Sequence, residues 1–96
     1  MSEIQSITDL IQTIRAKITD DTDVIWAGYN NPTELQAEID KDLNELKNGN
    51  LDILVNFKDR FLPTATFQEV SISNGWGEEF LTLADRFDKL YESLRK

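Results

Sequence analysis

Carboxylates are the main groups in this chain that could do chemistry, with Ser, Thr, Tyr and Lys beside them; it has no histidine and no cysteine. That removes a histidine general base, a cysteine nucleophile and any Cys/His zinc site. A carboxylate pair could still cleave a glycosidic bond. No pair stands out among the 18 acidic residues, however, and so short a chain has little room for a sugar-sized pocket. The densest acidic cluster, Asp20-Asp21-Thr22-Asp23, fails as a calcium loop. Counted from Asp21, Trp26 stands where the loop needs glycine and Pro32 where it needs a bidentate glutamate. We therefore expect no catalysis, no metal and no cofactor.

Two patterns fit binding better. Glu34, Glu38, Asp42 and Glu45 recur at helical spacing and share one face. Like charges so placed repel by a few tenths of a kcal/mol per pair, so something must offset them. Lys41 is the nearby candidate within the helix, and Glu38 and Asp42 are the residues we would expect to meet a basic partner. The second pattern is a pair of aromatic-glycine segments, Trp26-Ala27-Gly28-Tyr29-Asn30-Asn31 and Asn74-Gly75-Trp76-Gly77. Were they to meet, Trp26, Tyr29, Asn30, Asn74 and Trp76 would form an aromatic, amide-lined patch of the kind found at interface hot spots. The opposing reading is that both indoles fill the core. For Trp76 we expect the core role, because Phe80, Ala84 and Phe87 continue an apolar face beyond it.

Helices must position these residues. Ile4, Ile7, Leu10, Ile11, Ile14 and Ile18 form one stripe, predicting a helix over 3–18, with Ser2 and Gln5 as its capping box. Residues 24–29 are apolar but too short to assign to a helical or an extended form. Asn31-Pro32-Thr33-Glu34 is the strongest start signal, opening a helix that runs to Lys47 and stops at Asn48-Gly49. A third helix is expected over Leu51–Leu62, capped by Asn50, stopped by Pro63, and antiparallel to the second. Its apolar set is Leu51, Leu54, Val55, Phe57, Phe61 and Leu62. Thr66 and Glu69 suggest a capping box before a short helical turn over 67–72, with a strand as the rival. The last helix should run over 77–94, with Glu78 and Glu79 at its positive end and Arg95 and Lys96 at its negative end. The expected fold is all-α: one domain over residues 1–96, a compact bundle of four main helices plus one short helical turn.

The chain has 96 residues and a formal net charge of −8, spread along its length. Such a surface repels phosphate backbones, so nucleic acid is not an expected partner. No apolar run approaches the ~20 residues of a membrane span, and Glu3 precedes any basic residue, unlike a secretory signal. A cytoplasmic location is expected.

The runs Trp26-Ala-Gly-Tyr-Asn-Asn-Pro-Thr-Glu34 and Ser71-Ile-Ser-Asn-Gly-Trp-Gly-Glu-Glu-Phe80 together resemble short bacterial proteins of unknown function. The resemblance implies a free-standing bacterial cytoplasmic protein and carries over no site residue. The function expected from the residues is a non-catalytic protein-interaction module, one version being an immunity- or antitoxin-like inhibitor of a basic partner. The alternative is a small-molecule or anion-binding helical domain built on the amides near Asn74–Gly77.

Overall fold

A computed structural model describes residues 3–62 and 65–95. Among them are five α-helices and two single-turn 3₁₀ segments, and no strand. In chain order they are α1 (Glu3–Lys17), a 3₁₀ turn (Ile25–Ala27), α2 (Pro32–Lys47), a second 3₁₀ turn (Leu51–Ile53), α3 (Leu54–Arg60), α4 (Thr66–Ser73) and α5 (Gly77–Arg95). The radius of gyration is 12.7 Å, close to the ~12.5 Å of a compact domain of this length.

The isoleucine stripe makes α1 the central element. Ile7, Ile11 and Ile14 are fully buried, and α1 packs against both α2 and α5. Each neighbour is also tied by charge. Arg15 on α1 makes a two-pronged pair with Asp40 on α2 at 2.8 and 3.1 Å, and Lys17 reaches Glu79 on α5 at 2.7 Å. Helix α1 ends one residue sooner than the stripe suggests. The freed Ile18 carbonyl is taken by Gln36 Nε2 at 2.8 Å.

The start of α2 follows its signal. Asn31 Oδ1 accepts the Glu34 N–H at 3.0 Å, and Glu34 Oε1 accepts the Asn30 N–H at 2.8 Å. Gly49 ends the helix at φ +92°, in the left-handed region where glycine is favoured.

The third helix differs from expectation. Asn50 Oδ1 accepts the Asp52 N–H, and the chain tightens into a 3₁₀ turn before α3, which is only seven residues long. The tighter turn shifts the facing, so Leu51, Val55 and Leu62 stand exposed while Ile53, Leu54, Phe57 and Phe61 are buried. The antiparallel arrangement holds. As the chain advances through Asn50, Asn56 and Arg60, its partners on α2 run back through Glu45, Asp42 and Glu38. Phe61 is the hub beyond, with ring centroids 5.0 Å from Phe67, 6.0 Å from Phe80 and 4.3 Å from Phe87.

Residues 66–73 form a two-turn helix rather than a strand or a single turn. Ala65, not Thr66, takes the N-cap position, with no side-chain cap bond. The architecture is thus three long helices and two short ones, instead of four and a turn. Ser2, Pro63 and Lys96, assigned to a cap, a stop and a terminal charge, lie outside the described residues.

Replacing Asn31 with Ala should cost about 0.5–2 kcal/mol in urea denaturation. An unchanged midpoint would show that the Asn31 side chain contributes nothing to the start of α2.

Candidate functional site

The two aromatic-glycine segments do meet, and Asn74 joins them. Its Oδ1 accepts the Asp23 N–H at 2.9 Å. Its Nδ2 donates to the Asp23 carbonyl at 2.9 Å and to the Val70 carbonyl at 2.8 Å. Residues 23–29 then lie along α4 in the opposite sense, with Asp23 beside Asn74 and the Tyr29 hydroxyl meeting Thr66. Val24 is buried, and Gly28 at φ +90° closes the 3₁₀ turn.

This arrangement gives the two indoles different fates. Trp26, for which a core role was open, stands 75% exposed, beside Ile25 at 72%. Trp76 packs against the core, partly buried, as expected. Its Nε1–H is buried and meets no acceptor among the described residues, and Lys17 Nζ lies 5.5 Å from the ring centroid. Gly75 at φ +86° makes the turn that brings this indole back. Asn30 is exposed, with its backbone N–H held by Glu34.

Two more apolar side chains extend the exposed surface. Ile72 is 62% exposed on α4, and its Cγ1 lies 3.5 Å from the point where a Gly77 side chain would begin. Leu81, 60% exposed, stands one turn along α5 on the face that Gly77 shares. A cleft of about 500 Å³ runs beside Ile72, lined by Gly75, Trp76, Gly77, Glu78 and Glu79. Exposed Asp20, Asp21 and Asp23 precede Ile25 along the chain, and exposed Glu78 and Glu79 open α5. Exposed apolar side chains thus stand on the 3₁₀ turn, on α4 and on α5, with exposed carboxylates before the turn and at the start of α5. Ile25, Ile72 and Leu81 were not among the residues expected at the site.

The acidic stripe on α2 is largely occupied from within. Asp42 is buried, at 7% exposure, and pairs with Arg60 at 2.8 Å. Glu38 lies 3.8 Å from Arg60 and accepts the Tyr29 hydroxyl. Glu34 holds Asn30, and Glu45 accepts from Asn50 at 3.1 Å. The offsetting cation is Arg60 from α3, not Lys41. Its guanidinium also lies 5.2 Å from the Phe57 ring, and its Nη1 is buried with no acceptor among the described residues. Burial, and then the bond to the Glu38 carboxylate, raise the Tyr29 pKa above the ordinary phenol value. The hydroxyl is thus held protonated, the reverse of what a catalytic tyrosine base needs.

No protein-family model, no curated relative and no solved structure matches the chain. The likeness to short bacterial proteins gains no support from these comparisons. Among the described residues, no helix is long and apolar enough to cross a membrane, and no three carboxylates gather as a metal site.

Asp42 and Glu38 should separate sharply on substitution. Asp42→Asn leaves the mostly covered Arg60 side chain without its close charged partner and should cost about 3 kcal/mol in chemical denaturation. Glu38→Gln, at a half-exposed position, should cost under about 1 kcal/mol. Equal effects would contradict the placement of Asp42 as the buried anchor of the network.

Proposed function

We propose that this chain is a non-catalytic protein-interaction module whose working face is the strip Ile25, Trp26, Ile72 and Leu81 with its acidic border. The observation that carries the reading is Trp26. A large indole lies 75% exposed on a short turn that is hydrogen-bonded at both ends, by Asn74 at Asp23 and by the Val24 carbonyl at Tyr29. A side chain so displayed adds nothing to the core. Preorganised aromatic anchors of this kind supply much of the binding energy at interfaces.

The partner is a protein with a basic surface, favoured by the net charge of −8 and by the carboxylates that flank the strip. One form of this function is an immunity- or antitoxin-like inhibitor in a bacterial cytoplasm, which would set its carboxylates against a basic cleft. The strip takes over the docking role first considered for Glu38 and Asp42, since Arg60 and Tyr29 already engage those two. Anion binding near Asn74–Gly77 has less in its favour, because Glu78 and Glu79 line that cleft and repel an anion.

The test is Trp26→Ala. An exposed substitution should leave stability within about 0.5 kcal/mol of the wild type. The affinity for a partner recovered by crosslinking through position 26 should fall by about thirtyfold or more. A variant that melts early, or that keeps full affinity, would contradict the proposal.

A further inference from the structure

We infer that the cleft beside Trp76 receives a lysine or arginine side chain from the partner, an inference that rests on the reading of this face as a docking surface. The cleft offers an aromatic ring, an alkyl wall from Ile72 and two carboxylates, Glu78 and Glu79. Gly75 and Gly77 contribute no side chain, which leaves the space of about 500 Å³ open. Long cationic side chains fit such a place: the stem lies along apolar surface, and the charged head meets a ring and a carboxylate.

The protein already makes this contact once with a cation of its own. Lys17 Nζ sits 2.7 Å from Glu79 Oε1 and 5.5 Å from the Trp76 ring centroid. Glu78, beside it, is exposed and has no cationic partner among the described residues. Both glutamates stand in the first turn of α5, the end of a helix at which acidic side chains are commonly placed. The apolar strip next to the cleft selects the rest of the occupant, a basic amphipathic segment with its apolar side on Ile72 and Trp26. A second copy of this chain would bring another −8 to the same border, and an anionic membrane would be repelled likewise.

The probe is a short amphipathic peptide of leucine and lysine, compared with its leucine and glutamate counterpart. The lysine peptide should bind, more weakly as salt rises, and the glutamate peptide should not. Glu78→Gln should weaken binding about two- to fivefold, beyond the effect of Asp59→Asn, which removes the same charge from exposed α3 surface. Lys17→Gln, which frees Glu79 and the ring, should strengthen binding more than Lys41→Gln, an equal charge change elsewhere. Melting curves confirm that each variant is folded. If Glu78→Gln and Lys17→Gln only match their controls, the cleft inference is overturned. In that case a loss of partner binding in Trp26→Ala leaves the docking reading standing, whereas unchanged partner binding in Trp26→Ala ends both. Binding of anionic vesicles, or a dimer that Trp26→Ala dissociates, would also overturn the inference.

Discussion

The three hydrogen bonds of the Asn74 side chain are the constraint on which the displayed face depends. The chain has no cysteine, so no disulfide anchors the stretch between α1 and α2. Asn74 does so across 51 positions of sequence, matching the N–H and the carbonyl of Asp23 with its own acceptor and donor. The same amide group also donates to the Val70 carbonyl, which accepts the Asn74 backbone N–H as well, at 3.1 Å. Each bond is worth about 1 kcal/mol net, and together they offset part of the entropy of ordering the loop. With Asp23 fixed, Val24 enters the core and the next two side chains are carried outside.

From that one junction the surface follows. The 3₁₀ turn ends at Gly28 in the left-handed conformation, and Ile25 and Trp26 project from it rather than pack. Just beyond Asn74, Gly75 turns the chain back and Trp76 joins the core while its residue opens α5: the Phe80 N–H donates to the Trp76 carbonyl at 2.9 Å. Two tryptophans, each with glycine within two residues, thus serve opposite ends, one the interior and one the exterior. The acidic residues divide in the same way. Those on α2 are drawn inward by Arg60, Tyr29 and caps, whereas those at 20–23 and at the start of α5 remain to shape the outer field.

Much of the helical plan was legible because capping is local chemistry. Asn31-Pro32 and Asn48-Gly49 sit where they do for reasons contained within a few residues, and α2 begins and ends accordingly. The apolar stripe of α1 announced a core helix for the same reason. What could not be read depended on distant partners. Arg60 stands in the last turn of α3, where the helix dipole alone would account for a cation, while its partner Asp42 lies on another helix. The apolar face through Phe80, Ala84 and Phe87 points Trp76 to the core, but nothing local decides Trp26, whose place outside depends on the meeting of Asp23 with Asn74. The exposed Leu51 and Val55 escaped because helical periodicity assumes 3.6 residues per turn, and a 3₁₀ start breaks that register.

The central claim is that the Asn74 side chain holds the 23–29 segment on α4. Hydrogen exchange of the backbone amides in Asn74→Ala tests it most directly. The Asp23, Ala27 and Gly28 amides, each hydrogen-bonded in the wild type, should lose protection together, while amides within α1, α2 and α5 keep theirs. Protection at Asp23 unchanged by the substitution, or a uniform loss across the whole chain, would contradict the account.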